Sequence, residues 1–182
     1  FVLHVGGAPL QVSKSWGNNG RVPVKDWLGG GENVRTKDAA VLHQTPEMFL
    51  SVLLLDGVFE RHPGLRGAAV ELGAGWVPEM CRRLDWVARI YGRSDESVRF
   101  ERAPSQQLID QMAFTPFSHE DVAYLMDDSH PNLYLFSSDY PHLEGTKDPI
   151  GRFERFLENS EPSTRDAFYS ENFLRLWPNA RV

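Results

Sequence analysis

The sequence predicts an α/β fold in which parallel strands alternate with helices. Short apolar runs alternate with helix-like segments along the chain, four times in succession. This order is typical of units in which a helix connects two parallel strands. Four such units are half of a (β/α)8 barrel. A doubly wound open sheet fits the same order, but its usual signature, a G-x-G-x-x-G or P-loop sequence after the first strand, is absent.

The predicted strands are apolar runs of four to eight residues, most of them followed by glycines or other turn residues. They cover residues 1–5, 65–72, 112–115 and 133–137. The stretch from Ala8 to Gln44, which follows the first strand, has no sustained periodicity. A connection of this length in a compact domain is usually functional. We therefore expect it to lie over the mouth of the barrel and to shape a substrate pocket.

The predicted helices are identified by apolar residues at helical spacing and by capping residues. They cover residues 45–61, 76–91, 104–110, 118–126, 150–157 and 163–176. Thr45 before Pro46 is typical of a helix start. Ser118 with Asp121 resembles a capping box, as does Ser163 with Asp166 at the last helix.

Composition and charge exclude several classes of protein. The 182 residues carry a formal net charge of −6, with 41% hydrophobic and 24% charged residues, as one globular domain over 1–182 would. Scattered Lys and Arg argue against nucleic-acid binding, and no apolar run reaches the roughly 18 residues of a membrane-spanning helix. Cys81 is the single cysteine, which excludes an internal disulfide and suits a reducing, cytoplasmic location.

The ends of the predicted strands carry the side chains that could take part in catalysis or metal binding. In a (β/α)8 barrel the reactive side chains stand at the carboxyl ends of the strands, and these ends offer His4, Glu71, Thr115 and Asp139. An imidazole and two carboxylates at one mouth could hold a divalent cation and activate a bound water. Alternatively, His4 is a hydrogen-bonded strand histidine and Asp139 merely caps a turn.

Three tracts resemble the amidohydrolase-related family of metal-dependent TIM-barrel proteins, the group that includes aminocarboxymuconate-semialdehyde decarboxylase. They are LLLDGVFERHPGLRGAAVELGAGWVPEMCRRLDW, PSQQLIDQMAFTPF and NLYLFSSDYPHLEG, of which SSDYPH is the most specific. The resemblance covers almost the whole chain and is to the C-terminal half of the family's barrel. It implies that this chain supplies about strands 5 to 8, and that the N-terminal half is absent from it. The first residues, without an initiator Met, also read as the middle of a protein.

The resemblance implies a metal site that this segment cannot complete alone. His4 matches the metal-ligand His of the fifth strand, and Asp139 matches the metal-ligand Asp of the eighth. Asp139 could also act as the catalytic base toward metal-bound water. The family's His-x-His pair has no counterpart here, so an N-terminal barrel half or a partner chain must supply it. The metal implied is most often zinc, although manganese or iron suits the same donors.

Glu71 departs from the family pattern, because many relatives place a histidine at that strand end. It could ligate metal, act as a catalytic acid or base, bind a polar substrate group, or form a structural bond to a neighbouring loop. His142 follows Asp139 by three residues and is either a substrate-binding residue in the same mouth or an ordinary loop residue.

The resemblance implies a hydrolase or non-oxidative decarboxylase that acts on a small carboxylated or cyclic molecule, in a homo-oligomer. The alternative is a catalytically silent half-barrel that binds or assembles with a partner chain. We expect Cys81 to be inert packing, and Arg82 and Arg83 to lie on a solvated or ion-paired helix face. Capping or exposure explains the remaining histidines, which are His43, His62, His119 and His130.

Overall fold

The computed structural model describes residues 1–5, 39–142 and 145–180. Within these ranges three strands form one parallel sheet, in the order β1, β2, β3. Their bounds are Val2–His4, Gly67–Val70 and Met112–Phe114. The predicted α/β class with parallel strands is therefore confirmed. Most of the predicted mouth loop, residues 8–38, lies outside the described residues.

Eight α-helical segments surround this sheet in the part of the chain that the structure describes. In chain order, α1 to α8 are Gln44–Leu55, Val58–Arg61, Val77–Tyr91, Pro104–Gln111, Val122–Asp128, Pro149–Phe156, Pro162–Asp166 and Asn172–Leu176. A π-helical turn, Ala167–Glu171, joins the last two. No helix in the described ranges is both long enough and apolar enough to cross a membrane.

The predicted fourth strand, residues 133–137, is an extended segment that pairs with β3 at a single bridge. That bridge joins Phe114 and Tyr134 in parallel, and Leu135 N donates to Phe114 O at 2.9 Å. The segment lies beside β3, so the order of neighbours follows the order of the chain. A doubly wound sheet reverses its strand order at a switch point, and this part of the chain has no such reversal. The arrangement therefore favours the barrel over the open sheet.

The edge of the extended segment that faces away from β3 bonds to helix residues. Tyr134 O accepts from Asn172 Nδ2 at 2.9 Å, and Phe136 N donates to Phe168 O at 3.0 Å. Both partners belong to the last helical region. The prediction of a full fourth strand was wrong: the bond from Leu135 N to Phe114 O would be followed in a parallel ladder by one from residue 116, and Pro116 has no N–H to donate.

Two helix starts and one helix interior also differ from the predictions. The helix predicted over 45–61 is broken at Gly57, whose φ of 69° glycine adopts without steric cost. The N-cap of α5 is Asp121, whose carboxylate accepts from Tyr124 N at 3.0 Å, whereas Ser118 is buried before the helix. The last helical region begins at Pro162 instead of at a cap on Ser163.

The two faces of the sheet pack differently because successive strand residues point to opposite faces. The outer face, represented by Ala69 and Phe114, belongs to the main apolar core beneath the helices. The inner face carries Ala68, and it borders a second, small cluster that includes Leu176 of α8. A cavity of about 1020 Å³ lies on this inner face.

Candidate active site

The carboxyl ends of the strands meet at one edge of the sheet, where four predicted site residues lie. His4 is the last residue of β1, Glu71 follows β2, Thr115 follows β3, and Asp139 follows the extended segment. Glu71 N donates to Thr115 Oγ1 at 3.0 Å, which joins the second and third of these ends. The carboxyl ends of neighbouring strands are therefore in contact, as predicted.

Glu71 lies between two imidazoles. Its Oε2 is 2.8 Å from His4 Nε2, and its Oε1 is 3.0 Å from His142 Nδ1. The Glu71 side chain is only 10% exposed, whereas those of His4 and His142 are 58% and 48% exposed. A carboxylate in this position orients both rings through its two oxygens. The two rings, each about half exposed, are therefore joined through one nearly buried carboxylate.

One ring nitrogen of His4 has a defined role. Its Nδ1 lies 2.8 Å from Val5 O, and since a carbonyl oxygen can only accept, Nδ1 carries the proton. Nε2 is then the nitrogen that faces Glu71. A metal-bound histidine commonly uses the same pattern, in which one nitrogen donates to a backbone carbonyl and the other is the ligand.

Glu71 and Asp139 share an uncommon backbone conformation. Their φ angles are 59° and 53°, and they are the non-glycine residues of positive φ in the described ranges. Left-handed backbone in such residues is uncommon and occurs preferentially at active sites and ligand clamps. Asp139 also has its carbonyl oxygen 2.8 Å from His142 N, so a tight turn connects these two residues.

Glu120, which the sequence analysis missed, holds the loop that follows Glu71. Its Oε1 accepts from Gly75 N at 2.7 Å, and its Oε2 accepts from Ala74 N at 3.0 Å and from Phe117 N at 2.6 Å. The only signal in the sequence was a glutamate beside the Asp121 cap, which reads as an ordinary acidic residue at a helix start.

The imidazole and carboxylate groups at this edge are of the kinds that bind a divalent metal, but too few of them lie close together to hold one. Imidazole and carboxylate groups are ordinary ligands of zinc and related ions. In the part of the chain that the structure describes, however, no three His, Cys, Asp or Glu side chains are grouped so that they could hold a metal ion. Moreover, Nε2 of His4 faces a carboxylate. The described residues therefore do not form a metal centre by themselves.

Cys81, Arg82 and His130 have the structural roles that were predicted for them. Burial raises the pKa of the Cys81 thiol to about 12, so it stays protonated and unreactive at neutral pH. Arg82 pairs with Glu79 and Asp128 on an exposed helix face. His130 caps a short 3₁₀ helix, accepting from the backbone N–H two residues on.

The fold is similar to that of two solved enzymes. An amidohydrolase from Mycobacterium avium subsp. paratuberculosis K-10 superposes with a TM-score of 0.62 and 27% sequence identity, over 76% of this chain and 34% of its own. The predicted resemblance to amidohydrolases is confirmed. The 5-carboxyvanillate decarboxylase from Sphingomonas paucimobilis superposes with a TM-score of 0.53 and 18% identity, over 70% of this chain and 38% of its own, which shows the shared fold.

This amidohydrolase-like chain spans little more than a third of the length of either enzyme. No protein-family model matches it, and no curated protein matches it.

Proposed function

We propose that the chain is the C-terminal part of a metal-dependent hydrolase or non-oxidative decarboxylase of the amidohydrolase type. Its substrate is a small carboxylated or cyclic molecule, and the other barrel half comes from further sequence or from a partner chain. The observation that carries the proposal is the placement of Glu71 between His4 and His142 at the carboxyl edge of a parallel sheet. That edge is where barrels of this kind hold their reactive groups.

The side chains of this edge supply proton transfer and substrate binding in the proposed reaction. His142 is half exposed and is oriented by Glu71, so its ring can bind an anionic group of the substrate by a charge-assisted hydrogen bond. Glu71 and Asp139 serve as acid–base groups. Hydrolysis needs a proton for the leaving group, and decarboxylation needs one for the carbon that loses carbon dioxide.

His4 and Asp139 are the proposed contributions of this chain to the metal centre, and the remaining ligands lie outside the described residues. When bound, a divalent ion polarises a carbonyl group for hydrolysis or anchors a carboxylate for decarboxylation. Zinc is the first choice, with manganese or iron as alternatives that the same donors accept.

Metal content tests the ligand assignment. The full-length protein is dialysed against each metal in turn, and bound metal is measured by elemental analysis. We expect near-stoichiometric metal in the native protein and a loss in Asp139→Ala and His4→Ala. Asp148→Ala is the matched control, because Asp148 caps α6 by accepting from Gly151 N at 3.0 Å. Metal retained unchanged in Asp139→Ala would overturn the assignment.

Turnover of two probes tests the reaction class. Release of carbon dioxide from 5-carboxyvanillate reports decarboxylation, and release of nitrophenol from 4-nitrophenyl acetate reports hydrolysis. We expect Glu71→Gln to lower turnover of the active probe at least tenfold, a typical effect of removing an acid–base group, while Asp148→Ala retains it. Turnover that survives unchanged in Glu71→Gln would refute the role of that carboxylate.

The second candidate function is a catalytically silent half-barrel that assembles with a partner chain. It is favoured by Phe1, which precedes β1, and Val2 in β1, which are 38% and 56% exposed, and by the open cavity on the inner face of the sheet. Exposed apolar strand residues and patches are typical of surfaces that pair. A full-length protein that binds no metal and turns over neither probe would support this candidate against the enzyme.

A further inference from the structure

The backbone of Glu71 needs support from its surroundings. Its left-handed conformation, with φ of 59°, is unfavourable for a residue that has a Cβ atom, and such residues persist only where neighbouring structure holds them. Thr115 Oγ1, which accepts from Glu71 N, gives one support. A second support lies on the carboxyl side, where the chain turns again at Gly73 with φ of 65°.

Glu120 provides that second support. Both of its carboxylate oxygens accept backbone N–H groups from the loop after Glu71, those of Ala74 and Gly75, over distances of 2.7 to 3.2 Å. A third N–H, from Phe117 at 2.6 Å, ties the same carboxylate to the loop after β3. Charge-assisted bonds of this kind are stronger than neutral ones. One side chain thus joins the loops that follow two neighbouring strands.

The fit between this loop and its support is close. A Cβ atom added to Gly75 would lie 2.9 Å from Glu120 Oε1, and one added to Gly73 would lie 3.0 Å from the Phe117 ring. Trp76 Nε1 donates to Gly73 O at 2.9 Å, which restrains the loop from its other side. Consequently the loop has little freedom to turn without breaking the bonds to Glu120.

We propose that Glu120 is a positioning residue that holds the Glu71 carboxylate between the two imidazoles. It contacts neither His4 nor His142 in the bonds described above, and it acts through the backbone of residues 71–75. Its importance for catalysis rests on the proposed function, whereas its effect on the geometry of the two rings does not.

The test is the ring ¹⁵N–¹H spectrum of the histidines in the full-length protein, which reports the hydrogen bonds of each imidazole. In Glu120→Gln we expect the His4 and His142 signals to move in the same direction as in Glu71→Gln. We also expect amide exchange at Ala74 and Gly75 to accelerate about tenfold or more, as when a hydrogen bond to a charged group is lost.

Asp121→Asn is the matched control. It changes the neighbouring acidic residue, which also accepts one backbone N–H, that of Tyr124 at 3.0 Å. Its bond lies within α5, so we expect the ring signals to stay at their native positions. Gly75→Ala is a second variant, which displaces the Glu120 carboxylate without removing its charge, and should reproduce the ring shifts of Glu120→Gln.

The outcomes separate the two proposals. Ring signals that stay native in Glu120→Gln and Gly75→Ala, while amide exchange accelerates, would show that Glu120 only stabilises the loop, and would overturn the positioning role. Ring signals that shift as expected support that role even in a protein that turns over neither probe, in which case the proposed function alone fails.

Discussion

Asn172 is expected to anchor the last helical region on the segment that leads to Asp139. It is 3% exposed, and its Nδ2 donates to Pro131 O and to Tyr134 O, each at 2.9 Å. Tyr134 is in the extended segment that takes the place of a fourth strand. Replacing Asn172 by leucine keeps a side chain that branches at Cγ and removes both donors.

The magnitude follows from the two acceptors. A buried carbonyl left without its donor costs about 1–3 kcal/mol. Pro131 O keeps a longer bond from Tyr134 N at 3.4 Å, so the larger share of the loss comes from Tyr134 O. We expect Asn172→Leu to lower the free energy of unfolding by about 2–3 kcal/mol, a large share of the 5–15 kcal/mol that holds a typical domain folded.

The assay is urea unfolding of the full-length protein, followed by circular dichroism. With a slope of about 1–3 kcal/mol per molar urea, the midpoint should fall by about 0.7–3 M. Asn179→Leu makes the same exchange at an exposed position near the C-terminus and should leave the midpoint within about 0.2 M, as surface substitutions usually do. Equal midpoints for Asn172→Leu and Asn179→Leu would refute the reasoning.

Two further predictions concern the thiol and the turn at Asp139. The pKa of Cys81, raised by burial to about 12, means that the unfolded thiol ionises near pH 9 while the folded one does not. Stability is therefore lost as pH rises from about 9 toward 12, by about 1.4 kcal/mol at pH 10 relative to Cys81→Ala. Urea unfolding at pH 7 and pH 10 measures this difference, and parallel pH profiles for the two proteins would contradict it. Gly145→Ala places a Cβ atom 2.5 Å from Asp139 O and should lower metal content, as is expected of Asp139→Ala. Gly64→Ala, whose Cβ atom meets nothing within 4 Å, should leave metal content unchanged, and equal content in both variants would contradict the prediction.

The strand ends were predictable from the sequence because short apolar runs followed by turn residues mark them locally. His4, Glu71 and Asp139 were placed at these ends from that pattern, with the family resemblance adding expected roles. The position of Glu71 between two imidazoles was not predictable. It depends on a left-handed backbone and on contacts from Thr115 and Glu120, which are distant in sequence.

Two wrong predictions, a full fourth strand and a helix cap at Ser118, also depend on features that are not local in sequence. The extended segment at 133–137 has the composition of a strand, but its pairing with β3 stops because Pro116 has no N–H to donate. Its other edge bonds to Asn172 and Phe168, some forty and thirty residues further along the chain. The start of α5 has two suitable capping residues, Ser118 and Asp121, and the choice between them is made by burial. Local sequence preference allows more than one structure at these positions, and tertiary contacts determine which one forms.

Under the proposed function, stability and activity favour different residues at positions 71 and 139, because the backbone at Glu71 and Asp139 is left-handed. Each such conformation costs about 1–2 kcal/mol relative to a residue that adopts it freely. In a library randomised at both positions and sorted only for resistance to unfolding, glycine and asparagine should replace the two carboxylates. The same library sorted for turnover should retain them. Comparing the two sorted libraries at each position would then show how much folding stability is lost when the carboxylate is kept for the reaction.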